Sequence, residues 1–236
     1  RRFSQRMQLE EKGHPLPQPD TFGPREPGRT PYIFAPDSIR TLLAKAAALG
    51  PIGSLRPKTY ATLFGLMACT GLRISEALAL HLEDISADGL VIRLTKFKKS
   101  RLVPMHATCR RALDAYLVAR RQNARQDTAV FLSEMGTRLR YPTVNATFLR
   151  LVREMGIHPG PGNSGPRLHD LRHAFAVRSL ERCVGDRAAI ARHMLALSTY
   201  LGHARLSNTY WYLPATPHLL AGVARQGESL ATRGIR

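Results

Sequence analysis

From residue 36 onward apolar residues recur at helical spacing along nearly the whole chain, and the period changes only once, between residues 90 and 105. This pattern predicts a mainly α-helical domain with one small antiparallel β-sheet. Ile39, Leu42, Leu43, Ala46 and Ala47 share one face of a first helix, which Asp37 or Ser38 is placed to cap. After Pro57 the series Tyr60, Leu63, Phe64, Met67 marks a second helix, expected to end at Gly71. Ile74, Ala77, Leu78 and Leu80 predict a short third. Residues 90–94 and 101–105 then read as short strands on either side of the basic turn Lys96-Phe-Lys-Lys-Ser100, a hairpin with a cationic tip. Further helices are expected near 107–124, 142–155, 169–183, 186–200 and 215–225. No internal repeat is visible.

The 236 residues are enough for one large domain or two small ones, and a 44% hydrophobic fraction supports a buried core. Residues 13–31 hold six prolines and three glycines, a composition that cannot sustain a regular element and predicts a linker or extended arm. The compact domain is therefore expected over 32–226, with a short tail over 227–236. The chain opens Arg-Arg-Phe-Ser-Gln-Arg, without an initiator Met or an apolar signal core, which reads as a piece cut from something longer. It contains no apolar run of about 18 residues of the kind that crosses a membrane.

Lysine and arginine number 35 against 17 acidic residues, a net charge of +18, and 29 of the 35 are arginine. Arginine forks bind phosphate oxygens in pairs, so the excess points to a polyphosphate such as nucleic acid; a GC-rich coding bias would also raise arginine. A basic amphipathic helix with bulky apolar anchors, as an anionic membrane surface would need, does not stand out. Cys69, Cys109 and Cys183 are too few and too far apart for a disulfide framework or a zinc cluster, and are expected as buried free thiols of a reducing, cytoplasmic protein.

Three clusters carry the chemistry. In Thr70-Gly-Leu-Arg-Ile-Ser-Glu, Arg73 follows a glycine at a helix start and Glu76 lies within reach of its guanidinium; an ordinary capped helix with an ion pair reads equally well from this cluster alone. In Pro166-Arg-Leu-His-Asp-Leu-Arg-His-Ala-Phe-Ala176, His169 and Arg172 share a helix face. His173 lies four residues from His169, the spacing of two helix-borne zinc ligands. Asp170 stands where such sites carry Glu, however, and no third ligand is evident. In residues 200–213, Leu-Gly-His203 precedes Tyr210 and Tyr212 around the single Trp211, an aromatic density that packing alone also produces.

Taken together in this order and spacing, the three clusters resemble the tyrosine recombinase (phage integrase) family, over about residues 32–225. The resemblance implies that family's catalytic-domain fold and a DNA recombinase or integrase. Arg73 and Arg172 match the clamp on the non-bridging oxygens of a scissile phosphate, and His169 the histidine that handles protons at the nucleophile. His203 matches the position that hydrogen-bonds the same phosphate. Tyr212, nine residues after His203, matches the nucleophile, with Tyr210 the less favoured candidate. Lys96 falls at the catalytic lysine, Lys98, Lys99 and Arg101 at DNA contacts, and Glu76 at the acidic residue supporting the clamp. The resemblance further implies double-stranded DNA as partner, a homotetramer on paired sites, no cofactor and no metal, no membrane, and a bacterial, DNA-associated location. It also implies an upstream core-binding domain, of which residues 1–31 would be the remaining arm, and a C-terminal helix near 218–224 that docks in a neighbouring subunit or packs in cis. Arg182, Arg187 and Arg192, between the second and third clusters, are expected to solvate a face.

These residue types suit the reaction. A tyrosine hydroxyl, with a reference pKa near 10, needs a base or a cationic site to act as a nucleophile at pH 7. Two arginines and a histidine can stabilise the added charge on a phosphorane-like transition state without a metal. A lysine on a hairpin can protonate the leaving 5′-oxygen. Two further functions share these expectations: a type IB topoisomerase-like DNA relaxation, and a DNA-binding regulator that does not cleave. The regulator would lack a member of the catalytic set, and none is missing from the sequence.

Overall fold

In the computed structural model, which describes residues 31–93, 100–123, 127–159, 165–183, 187–203, 207–210 and 212, helix α1 (Pro36–Ala47) starts at its proline. The ring fixes φ and leaves no N–H to satisfy, so the helix begins without the expected cap. Its N-cap is Ala35, which makes no side-chain bond, and Asp37 sits inside the first turn where its charge suits the helix dipole. Helix α2 (Arg56–Thr70) is buried on most of its circumference, including Thr59, Tyr60, Leu63, Phe64, Leu66 and Met67. It is therefore the central helix, packed by α1, by α4 (Ala107–Asn123) and by α6 (Leu168–Glu181). The short α3 (Ile74–Ala79) follows. Helices α5 (Tyr141–Glu154), α7 (Arg187–Leu201) and α8 (Ser207–Tyr210) complete the helical set among the described residues.

The sheet is a two-stranded antiparallel pair, β1 (Leu90–Ile92) and β2 (Arg101–Val103), with Leu90 opposite Val103 and Ile92 opposite Arg101. Both strands are shorter than the apolar runs suggested. Beyond Ile92 the Arg93 guanidinium engages Asp84, a residue of the one-turn helix Leu82–Asp84. The lysine-rich turn over 94–99 and the helix expected near 215–225 lie outside the described residues. All described residues fall in one unit that begins at Pro31.

The core has two parts. The larger is built on Leu42, Leu63, Phe64, Met67, Leu72 and Leu171, with a chain of edge-on aromatic contacts from Phe34 through Phe148 to Phe64. The smaller gathers Ala176, Val177 and Leu180 of α6, Met194, Leu197 and Leu201 of α7, and Tyr212. Gly71 joins the two. Its φ of 63° is left-handed, and a Cβ there would stand 2.6 Å from Phe175 Cδ1 and 2.9 Å from Leu201 Cδ2. Only glycine lets the end of α2 approach α6 and α7 this closely. The cysteines depart from expectation: Cys109 is buried, but Cys69 is exposed and Cys183 is intermediate. Cys69 lies on α2 beside Cys109 of α4, at the edge of that packing. A hydrogen bond with Cys109 holds its thiol down to about 7.

None of the described helices is long and apolar enough to cross a membrane.

Candidate active site

Leu201-Gly-His203 is the end of α7, and its conformation follows from chain geometry. The N–H of His203 bonds the carbonyl of Ser198 and that of Gly202 the carbonyl of Thr199, both at 3.0 Å. This is the paired closure that a helix makes when a left-handed glycine follows it, and Gly202 has φ 66°. The closure turns His203 back toward α6. It also leaves carbonyls with no helical partner, and three arginines fill them. Arg101 Nε donates to Tyr200 O at 2.9 Å, Arg172 donates to Leu201 O at 2.7 Å, and Arg73 donates to Gly202 O at 3.2 Å. Residues separated by more than a hundred positions are thereby fixed around one helix end.

Each arginine has a second anchor. Arg172 is 1% exposed and also donates to Gly71 O at 2.7 Å, so one guanidinium spans the ends of α2 and α7. Arg73 and Arg101 share Glu76. The Glu76 carboxylate accepts the Arg73 backbone N–H at 3.0 Å, the Arg73 guanidinium at 2.7 Å, and two Arg101 nitrogens at 3.1 and 2.8 Å. The Arg73 side chain is 33% exposed and Arg101 only 12%. Arg73 thus keeps a face toward solvent. Arg101, expected among the DNA contacts, turns inward and ties β2 to Glu76 and to the end of α7.

Glu76→Ala should therefore cost about 3–5 kcal/mol, the usual loss when one member of a buried ion pair is removed. The Arg101 charge would be left buried without its acid. Glu76→Gln, which keeps the shape and one acceptor, should lose less. Denaturant titration of the three proteins checks this, and an unchanged midpoint for Glu76→Ala would contradict it.

Helix α6 brings the imidazoles. Asp170, in its first turn, accepts the Arg167 backbone N–H at 2.8 Å and closes the helix start. His169 and His173 stand one turn apart with rings edge-on at 4.7 Å. His173 Nδ1 lies 3.1 Å from the Tyr212 hydroxyl. Tyr212 is 3% exposed, and its hydroxyl lies within the influence of the Arg172 guanidinium. The His203 ring runs nearly parallel to Tyr212 at 6.2 Å, and its Nδ1 shares a 2.8 Å hydrogen bond with Thr209 Oγ1.

The electrostatics follow from this packing. Burial pushes the Tyr212 hydroxyl up from its ordinary value, against the pull of Arg172 and Arg73. Burial and the neighbouring Arg73 lower Arg172 to about 10. His203 is lowered to about 4 by burial and then by Arg172 and Arg73, and His173 to about 3 by burial, His169 and Arg167. His169, the most exposed of the three, is lowered to about 4 by partial desolvation and the charges of Arg172 and Arg73. At Glu76 burial alone would raise the carboxyl, but the hydrogen bonds from Arg101 and the Arg73 backbone hold it down to about 2. The pocket at neutral pH thus holds neutral imidazoles, a protonated phenol and a surplus of fixed positive charge.

The unfolded chain protonates its histidines near 6.5, the folded chain only at about 4 or below. Between those values the unfolded state binds more protons, so stability falls as pH drops through this window. His173 and His203 dominate, since His169 is partly in water. Glu76 extends the loss from its ordinary 4.5 toward 2. The melting temperature should hold steady above pH 7 and fall progressively from pH 6.5 to 4. Circular-dichroism melts across that range check it, and a flat profile down to pH 4.5 would contradict it.

Of the residues singled out in the sequence, Arg73, Glu76, Arg101, His169, Arg172, His203 and Tyr212 are brought together. Lys96, Lys98 and Lys99 lie outside the described residues, as does the side chain of Tyr210. Among the described residues no group of three or more His, Cys, Asp or Glu side chains is placed to hold a metal ion. His173, weighed from the sequence only as a zinc ligand, emerges instead as the partner of the Tyr212 hydroxyl. Its position directly after Arg172 was the available signal.

Residues 33–218 match the phage integrase family. The chain is 40% identical over 220 residues to a Sinorhizobium fredii protein named integrase/recombinase y4rB, covering 89% of this chain and 70% of that one. It is 31% identical over 194 residues to the tyrosine recombinase XerC of Shewanella amazonensis, covering 80% of this chain and 58% of the relative. Among solved structures, the XerA recombinase superposes with a TM-score of 0.63 at 24% identity, over 84% of this chain and 64% of that one. A lambda integrase dimer bound to a core site superposes with a TM-score of 0.61 at 17% identity, over 88% and 55%. At these identities the two structures speak to the fold, a mainly helical domain with a small antiparallel sheet. The chain spans about three fifths to two thirds of the length of most of these relatives.

Proposed function

Because the chain belongs to the phage integrase (tyrosine recombinase) family, we propose that it is the catalytic portion of a site-specific DNA recombinase that cuts and rejoins strands through a covalent bond to Tyr212. The observation that carries this reading is the seat of the Tyr212 hydroxyl, buried between Arg172 and an imidazole and within the field of Arg73.

The substrate is a phosphodiester of double-stranded DNA. Arg73, with its guanidinium half-turned to solvent, and Arg172, behind it, receive the non-bridging oxygens, and the phosphate anion relieves the repulsion between the two cations. His203 adds a hydrogen bond to the same oxygens, and His169 sits at the open side where protons pass. Tyr212 attacks phosphorus, the bond to the 5′-oxygen breaks, and that oxygen takes a proton from Lys96. The product is a 3′-phosphotyrosyl bond and a free 5′-hydroxyl. The bond retains the energy of the broken phosphodiester, so a second 5′-hydroxyl can reverse the step without ATP. Fixed arginine charge supplies the stabilisation that a metal ion provides elsewhere. Lys98 and Lys99 are assigned to the DNA backbone beside Lys96. A tetramer on paired sites, with the residues near 218–224 exchanged between subunits, belongs to the same proposal.

The test is covalent capture. The full chain is mixed in EDTA with a pool of nicked duplexes tiling the DNA that flanks its own gene, so that the cleaved end diffuses away. An adduct on a denaturing gel whose tryptic peptide carries DNA on Tyr212 supports the proposal. An adduct mapped to Tyr210 would move the nucleophile. Specific DNA binding without any adduct, with the upstream region of the gene restored, would favour a regulator that does not cleave.

A further inference from the structure

We propose that His173 is the proton acceptor for the Tyr212 hydroxyl during strand cleavage. This role rests on the reading of Tyr212 as the nucleophile, and it is distinct from that of His169, which faces the open side of the site.

The hydrogen-bond inventory around the hydroxyl carries the inference. Arg172 can only donate, and its guanidinium lies close enough to Tyr212 to favour the charged form of the phenol. The remaining partner is His173 Nδ1 at 3.1 Å. The buried phenol has one hydrogen to give, and among the described residues Nδ1 is the acceptor within hydrogen-bond distance of it. In the proposed arrangement His173 carries its own hydrogen on Nε2 and presents a bare Nδ1 to the phenol. The ring meets Tyr212 at a centroid distance of 5.4 Å and an angle of 56°, so the two rings meet at a slant rather than stacked. His203 is committed elsewhere, with its Nδ1 on Thr209 Oγ1. Because α6 carries Arg172 and His173 in succession, one rigid helix supplies both the donor that stabilises a phenolate and the acceptor that takes its proton.

The step balances. The Oη–H bond breaks and its proton moves to Nδ1, while the oxygen's electron pair forms the bond to phosphorus. The bond from phosphorus to the 5′-oxygen breaks, and that oxygen is protonated from the far side by Lys96. On rejoining, the 5′-hydroxyl attacks phosphorus and gives its proton back to Lys96, while Nδ1–H returns the proton to the departing Oη. In the free protein His173 is a weak base, held down by burial and by His169, Arg167, Arg172 and His203 around it. The transfer is therefore late. It occurs once the phosphate anion has entered among these groups and bond formation has acidified the phenol. A positioned base of this kind contributes about 10²–10⁴-fold.

The test compares wild type, His173→Ala and Lys96→Ala in single-turnover covalent capture on the nicked duplex pool, with either oxygen or sulfur at the 5′-bridging position. Sulfur leaves without a proton, so it relieves loss of the acid but not loss of the base. The expected result is a fall of about 100-fold or more for His173→Ala on both substrates, with Lys96→Ala restored by sulfur. A wild-type rate for His173→Ala, or its restoration by sulfur, would overturn the assignment. Melting curves show whether His173→Ala folds. A ¹⁵N-histidine spectrum of the DNA-free full chain gives an answer that needs neither activity nor the alanine variant. A bare, hydrogen-bonded Nδ1 on His173 whose signal shifts in Tyr212→Phe supports the acceptor role, and a protonated Nδ1 sinks it. Absence of any wild-type adduct would count against the proposed function, while the spectrum would still decide the state of His173.

Discussion

Tyr212→Phe should abolish covalent capture of DNA altogether while leaving a folded protein with near-normal DNA affinity. The phenylalanine ring fills the same space in the smaller core, against the side chains of α6 and α7. What is lost is one hydroxyl, its hydrogen bond to His173, its interaction with Arg172, and the nucleophile. The hydrogen bond is worth about 0.5–1.5 kcal/mol, and part of this returns because a buried phenol no longer has to be desolvated. The melting temperature should therefore move by only a few degrees, whereas capture should fall below detection, since among the described residues no neighbouring group offers an equivalent oxygen at that point. Tyr210→Phe, in parallel, should capture DNA at the wild-type rate. Capture by Tyr212→Phe together with loss in Tyr210→Phe would transfer the nucleophile two residues upstream.

Arg172→Ala should separate stability from chemistry in a different way. Removing the guanidinium strands the carbonyls of Gly71 and Leu201, each at about 1–3 kcal/mol. Against this, a fully buried cation with Arg73 beside it is itself unfavourable, as its lowering to about 10 indicates. The two effects oppose, so the net loss should be about 2 kcal/mol, a shift of roughly 4–8 °C in melting temperature for a domain of this size. Nothing opposes the catalytic loss. A donor aimed at developing charge contributes about 10²–10³-fold, and Arg172 also holds the phenol. Arg172→Lys keeps the charge but cannot span two carbonyls and a hydroxyl with one ammonium, so it should stay stable and remain at least about 100-fold slow. Melting curves and single-turnover capture on both variants check this. A wild-type rate for Arg172→Lys would mean that charge alone is required.

Much of the helical scaffold was legible because it depends on local rules. Helices expected near 107–124, 142–155, 169–183 and 186–200 were found over Ala107–Asn123, Tyr141–Glu154, Leu168–Glu181 and Arg187–Leu201, since a 3.6-residue apolar period survives packing intact. Gly71 was readable as a helix stop from the sequence. The misjudged features were those in which a distant or neighbouring group outbid the local rule. Pro36 started α1 without the side-chain cap that Asp37 or Ser38 offered. Arg101 was expected at a DNA contact beside the cationic tip, and Glu76, 25 residues upstream, and the carbonyl of Tyr200 draw it inward. Cys69 was expected to be buried, yet it stays exposed on α2 beside Cys109.

By itself the sequence singled out Arg73, His169, Arg172, His203 and Tyr212, because they stand in an order and spacing that needs no coordinates. It could not say how they are held. That was decided by tertiary structure, through a property no linear pattern records. The end of α7 leaves unpaired carbonyls in a water-poor interior, where an unmet acceptor is costly, and the arginines satisfying it arrive from a loop, a strand and a helix up to 129 residues away in sequence. The same packing aims His173 at the Tyr212 hydroxyl, a contact between residues 39 positions apart.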